Sequence, residues 1–558
     1  MTGSDTPRTP TPIDAIADAW VDTLLDLTPE LRVYLGRPGR EGEYSDYSPA
    51  GAERRTEESK RVLTDLDAAT PQDGVDEVTK ADLRRDLQLG LDQNAAGFPL
   101  RDLNVIASPA QEIREIFDLM ATGSESDWVH IATRLDNVPG AVAGYIETLR
   151  EGIRTGTTPA KRQVREVAAQ ARKHAAGNGF FDSFTTGAAA SDGELPDSLR
   201  ADLASGAGRS REAYDALAGF LESELEPAAR EDDAVGRDHY ALASQSFLGA
   251  TIDLDETYEW GIEELARMVA EQEAIAREIL PGASVLEAIE YLDNDPSRKL
   301  HGTDALQRWM QETSDRSVEE LGRTSFDIPE EIRALECRIA PTQEGGIYYT
   351  GPADDFSRPG RMWWSVPEGV TEFDTWRELT TVYHEGVPGH HLQIGQATYN
   401  KSRLNSWRRI AGTSGHAEGW ALYAERLMQQ LGYLDDPADR LGMLDGQRMR
   451  AARVVLDIGV HLRKPRPDGN GTWDAAYALD FLRSNVNMND GFVRFEVNRY
   501  LGWPGQAPSY KVGQRIWEQL RDDYERRAGA DFDIKEFHRR ALDLGGVGLD
   551  TLRSALAA

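Results

Sequence analysis

The sequence predicts a mainly α protein with one small β-sheet, on three observations. Apolar residues recur at the three-to-four spacing of a helix face along most of the 558 residues. Between about 333 and 366 that spacing gives way to short β-branched and aromatic runs, RALECRIAP, GGIYYTGP and RMWWSV, separated by Gly and Pro, which read as strands of one sheet. Helical periodicity then returns and holds to the C-terminus.

Residues 1–12 are rich in Thr and Pro and read as a flexible tail. A helix follows at once, its face made by Ile13, Ile16, Ala17, Trp20, Leu24 and Leu25. Thr158-Pro159 opens a further helix as an N-cap followed by Pro, and that helix ends on a glycine. Helical runs continue at 210–229, 253–279 and 303–321. After the sheet they occupy 371–393, 414–431, 437–463, 472–485, 488–500, 508–528 and 535–542. No fixed-period repeat is present, so 13–558 reads as one unit: a mainly helical part over 13–332, then the sheet and the histidine-bearing helices over 333–558.

The charge balance of 62 basic against 95 acidic residues, formally −33, repels phosphate backbones and anionic headgroups and argues against nucleic-acid and membrane partners. Cys337 is the sole cysteine, which rules out an intrachain disulfide and a Cys-rich metal site. The first residues lack the pattern of a secretory leader and no stretch of ~20 apolar residues follows, so a cytoplasmic location is expected.

Four of the ten histidines fall between 384 and 416: His384, His390, His391 and His416. The segment DTWRELTTVYHEGVPGHHLQ is a helix ending in His384-Glu385, then a Pro-Gly interruption, then the histidine pair. It is similar to H-E-x-x-H, in which two histidines one turn apart bind zinc and the Glu activates water. Here Pro388 stands where the second histidine would be. On an unbroken helix His391 lies about 20° from His384 and roughly 10 Å along the axis, whereas His390 lies about 120° away. Pro388 lacks an amide and Gly389 tolerates unusual dihedrals, so a kink is expected that brings one of the two to the metal. A third ligand must come from elsewhere. In GTSGHAEGWALYAERLMQQLG, Glu418 and Glu425 flank a buried apolar stripe; Glu418 is the expected ligand and Glu425 a residue behind the ligands.

HEGVPGHHLQ at 384–393, EGWALYAE at 418–425, DIGVH at 457–461 and RYLGWPGQAPSYKVG at 499–513 together resemble domain-of-unknown-function family 885, similar in turn to the gluzincin metallopeptidases. The resemblance runs from about residue 13 to the end. It implies a helical shell around a deep channel, as in angiotensin-converting enzyme and the thimet-type oligopeptidases. It also implies one Zn2+ per chain held by His384, Glu418 and His390 or His391, with Gly389-His390 matching the usual Gly-His ending.

The function expected is zinc-dependent hydrolysis of short peptides with Glu385 as general base. A metal-dependent amidase acting on a non-peptide amide and an inactive helical binding protein are the other readings. A di-iron bundle is excluded because no histidine has Glu three residues before it. His461 and Tyr510 are expected to assist catalysis by donating to the developing oxyanion, and Arg499, Lys511 and Tyr348 to bind substrate. GGIYYTGP reads either as an edge strand that aligns a peptide or as a structural hairpin.

Overall fold

Capping decides where many of the helices begin. In the computed structural model, which describes residues 8–191, 193–340 and 346–557, the first helix is Pro12–Leu27. Its N-cap Thr11 and Asp14 form a reciprocal capping box, with Pro12 at the first helical position. Residues 1–7 of the expected tail lie outside the described residues. Its remainder is anchored, a correction to the expectation: Arg8 ion-pairs with Asp14, Asp73 and Asp76 at 2.5–2.6 Å, and its amide donates to the Ser402 carbonyl. The helix expected to open at Pro159 instead runs Lys161–Ala175, because Ala160 pairs with Arg230 in a β-bridge.

The helices that build the site are α1 (Leu254–Ile279), α2 (Thr375–Glu385), α3 (His390–Tyr399), α4 (Ser414–Gln430), α5 (Pro437–His461) and α6 (Ser509–Ala528). The most extensive helix pairings are α1 with α5 and α4 with α6. Small residues set the second of these crossings. A Cβ on Gly419 would stand 2.4 Å from the Gly513 carbonyl carbon, and one on Gly513 would stand 2.3 Å from the Gly415 oxygen. Trp420 and Trp517 pack T-shaped across the same crossing at 4.9 Å, which contributes about 0.5–1.5 kcal/mol beyond area burial. The crossing fixes the rotation of α4, and with it the direction of Glu418 and Glu425.

Among the described residues two small sheets accompany the helices. The expected one is three-stranded: β2 (Leu335–Ile339) runs parallel to β4 (Gly360–Trp364), which pairs antiparallel with β3 (Ile347–Thr350). The order β2-β4-β3 leaves β3 at an edge. A second sheet, unforeseen in the sequence, joins β1 (Lys299–His301) antiparallel to β5 (Glu372–Asp374) and leads directly into α2. Strands of three residues carry too little periodicity to be read beforehand.

Buried apolar residues form four clusters among the described residues. The largest unites α1, α2, α4, α5 and α6 through Met268, Trp376, Trp420, Trp517, Val454 and Ile458. A second fills the helices between 103 and 229, a third joins the N-terminal helices to Trp407, and a fourth lies under the three-stranded sheet. No helix among the described residues is long and apolar enough to cross a membrane.

Candidate metal centre

The helix expected over 371–393 is two helices. α2 stops at Glu385, residues 386–389 turn, and α3 starts at His390, with a cis peptide between Val387 and Pro388. Glycine is required at both ends of the turn: a Cβ on Gly389 would lie 1.8 Å from the His384 oxygen, and one on Gly386 2.6 Å from the Val382 oxygen. The carbonyls released by the break accept from Trp420 Nε1, at 2.9 Å for Pro388 and 3.2 Å for Gly389. A buried indole on α4 thus holds the interruption, and helical phase is not carried across it.

The break sets His390 against His384, ring centroids 4.9 Å apart and planes at 89°. His391 points the other way, its Nε2 donating to the Ile332 carbonyl at 2.7 Å and its Nδ1 accepting from Tyr349 Oη at 2.9 Å. With both nitrogens so engaged, His391 is bound into the wall and does not face Glu418.

Across from the pair, α4 presents two carboxylates seven residues apart, which puts them on one line of the helix about 10 Å apart. The His384 imidazole lies between them. Its Nδ1–H donates to Glu425 Oε1 at 2.7 Å, and its Nε2 faces Glu418 Oε2 at 3.3 Å. His390 Nε2 lies 3.8 Å from the same Glu418 oxygen. Ligand atoms of His384, His390 and Glu418 all fall within 4.8 Å of one another.

This arrangement fits a metal ion. Ligands about 2.0–2.1 Å from a tetrahedral zinc stand roughly 3.3 Å apart. Glu418 Oε2 is buried without a hydrogen-bond partner, and with Nδ1 of His384 donating to Glu425, Nε2 is turned toward that carboxylate oxygen. The space between them calls for a positive charge, which a proton on Nε2 or a metal ion in its place supplies.

The electrostatics agree. Burial opposes charge on His384, but Glu418 and Glu425 outweigh it and hold the imidazole up to about 10. Burial likewise opposes charge on Glu418, but His384 and His390 hold its carboxyl down to about 2. His390 is pushed down to about 4 by burial, which Glu418 only partly offsets. The cluster therefore draws in a positive charge, and two neutral-capable imidazoles with one carboxylate are a donor set suited to zinc.

Glu385, next to the pair on α2, is buried, and burial raises its carboxyl to about 7. It lines a cavity of about 380 Å³ with His384, Glu425, Thr380, Ile347 and Arg450, within the roughly 300–1,000 Å³ of small-ligand sites. Behind Glu425 runs a buried relay: Gln447 Nε2 donates to Glu425 Oε2 at 2.9 Å, Lys511 Nζ donates to Gln447 Oε1 at 2.7 Å, and Lys511 ion-pairs with Glu264 at 2.9 Å.

Other residues expected at the site lie elsewhere. His461 is fourteen residues beyond Gln447 on α5, about 21 Å along the axis, where its Nε2 donates to the Tyr500 carbonyl. Arg499 pairs with Glu496 and donates to Gln506. Lys511 is committed to the relay and does not line the cavity. Tyr348 is exposed, stacked on Trp363, and strand alternation turns it away from the face of its neighbour Ile347. Tyr510 lies closer, its ring under Arg450 and Arg453 at 5.9 and 5.4 Å. Gln447 and Arg450 escaped the sequence reading, although Gly442, Gly446 and Arg450 share one helical face, a phase visible in the sequence.

Two solved structures share the fold along almost the whole chain. A "putative lipoprotein from Colwellia psychrerythraea" aligns with TM-score 0.82 and 21% identity over 98% of both chains. A "putative lipoprotein of unknown function from Shewanella oneidensis" aligns with TM-score 0.74 and 18% identity over 99% of this chain and 100% of that one. A "putative oligoendopeptidase F from Bacillus anthracis str. Ames", at TM-score 0.35 and 11% identity over 92% and 96%, is too distant to establish a common fold. No curated protein matches the chain. The two lipoprotein descriptions overturn the cytoplasmic location expected from the sequence. The expectation rested on the pattern of the first residues and on the lack of a long apolar stretch, and neither feature records the side of a membrane on which a chain works. The family model described as "Bacterial protein of unknown function (DUF885)" matches residues 29–556, and the chain belongs to that family.

Proposed function

We propose that the protein is a metal-dependent hydrolase of short peptides, with one zinc held by His384, His390 and Glu418. The observation that carries this reading is the convergence of those three side chains, His384 buried and His390 and Glu418 partly so, beside a carboxylate that lines a cavity. Zinc bound there would supply Lewis-acid polarisation of the scissile carbonyl and acidify water.

The chain's own residues account for the rest. Glu425 fixes the His384 tautomer by accepting from Nδ1–H, which leaves Nε2 free as a ligand. Glu385 takes the proton of the attacking water on its carboxylate and returns it to the leaving amine, so that water is added across the peptide bond. The edge strand β3, whose Ile347 lines the cavity, offers main-chain groups to an extended substrate. A cavity of about 380 Å³ admits a short segment and not a folded domain.

Incubation of zinc-loaded protein with a mixed oligopeptide library, read by mass spectrometry, tests the reading. Cleavage that disappears on chelation and returns with zinc is expected. An intact library, or cleavage unaffected by chelator, refutes it.

A further inference from the structure

The cavity beside His384 and Glu385 contains a cation that the hydrolytic scheme leaves unused. Arg450 lines it, its Nε is buried without a hydrogen-bond partner, and it forms no ion pair among the described residues. Its ring neighbour is Tyr510, 5.9 Å from the guanidinium carbon. The other arginine on the wall, Arg377, is instead saturated by Asp293 at 2.9 and 3.0 Å. Asp445, a carboxylate on the same wall, accepts from Asn487 at 2.6 Å and lies 4.0 Å from Arg377.

The fold makes room for this side chain. Gly442, Gly446 and Arg450 follow one another at four-residue spacing along α5. A Cβ on Gly442 would stand 2.0 Å from the Trp376 oxygen, so α2 runs hard against α5 at that level. One turn on, a Cβ on Gly446 would meet Arg450 Nη1 at 2.6 Å. Helical side chains lean toward the N-terminus, so the guanidinium lies back over Gly446, in space that any other residue at 446 would fill. Glu385 and His384 stand on the α2 wall, and Arg450 on the α5 wall.

We propose that Arg450 is the recognition residue of a carboxylate subsite: its planar fork takes a peptide's carboxylate, from the C-terminus or an acidic side chain, while the peptide lies along the wall that carries Glu385. The inference rests on the peptidase reading for the ligand's being a peptide. Recognition has to be local, because a chain of formal charge −33 does not attract anions at long range.

Calorimetric titration of acetyl-dialanine, its C-terminal amide, and acetyl-alanyl-glutamate amide into the wild type, Arg450→Gln and Arg450→Lys tests it without requiring turnover. The wild type should bind at least one carboxylate-bearing peptide about tenfold or more tightly than the neutral amide. Preference for acetyl-dialanine identifies the C-terminus as the group bound, and preference for the glutamate peptide identifies a side chain. Arg450→Gln should abolish the preference, and Arg450→Lys, which keeps charge but not the fork, should retain only part of it. Equal binding of all three peptides, binding of none, or an undiminished preference in the variants overturns the proposal. If Arg450→Gln fails to melt cooperatively, the lysine variant decides. Failure of the peptidase reading appears separately, as carboxylate-selective binding by a zinc-loaded protein that cleaves no peptide.

Discussion

His384 Nδ1 lies 2.7 Å from Glu425 Oε1, buried within the contact between α2 and α4. That bond decides which imidazole nitrogen is left for a ligand, and it is held from behind by Gln447 and Lys511. Glu425→Gln should therefore weaken zinc binding by about 10–100-fold while leaving one site per chain, as measured by competition with a chromogenic chelator. Unchanged affinity would show that the tautomer is set by something other than Glu425.

Glu385→Gln separates the base from the ligands. The variant should bind zinc like the wild type and lose at least about a hundredfold in turnover on a cleaved peptide. Near-normal turnover would assign the proton transfer to another group.

His391→Ala should retain its zinc, since both nitrogens of His391 serve Ile332 and Tyr349. Its cost should appear in stability, about 1–3 kcal/mol for each buried partner left unsatisfied, measured by denaturant unfolding of the zinc-free protein. Loss of zinc with no loss of stability would reverse the roles of His390 and His391.

How far the sequence could be read is clear from this pair of histidines. Pro388 announced a break, and the break is present. Helical phase favoured His391, but phase has meaning only along a continuous helix, and four residues of turn erase it. Most helices after 371 were legible because each buries one long apolar face, and the 335–364 strands because β-branched and aromatic runs alternate with Gly and Pro. The β1–β5 pair was too short to leave a pattern. His461 and Arg499 have the right chemistry but lie in other parts of the fold, and residue type alone carries no address. Arg450 was overlooked because an arginine on a polar helix face looks like any other until the glycines beneath it are seen to open a cavity.

Gly389→Ala tests the turn itself. With the new methyl carbon 1.8 Å from the His384 oxygen, the backbone must move, and the two histidines with it. Zinc content should fall sharply while far-ultraviolet circular dichroism stays near that of the wild type; retention of full zinc would show that the turn is more tolerant than its geometry implies.

Asp457 provides a pH test remote from the metal. Burial raises its carboxyl to about 7, although Tyr240 and Gly505 donate to it. Between about pH 4 and 7 the unfolded chain has lost this proton and the folded chain keeps it, so the residue's contribution to stability declines as pH rises through that window. Asp457→Asn should remove that part of the decline, seen as a flatter melting temperature against pH. An unchanged slope would mean that the carboxyl is ionised in the fold throughout.

Whether His384, His390 and Glu418 hold one zinc is decided by elemental analysis of the wild type, His384→Ala and Glu418→Ala after zinc loading and exhaustive dialysis. One zinc per wild-type chain and almost none in either variant is the predicted result; full retention in both variants would contradict the proposed centre.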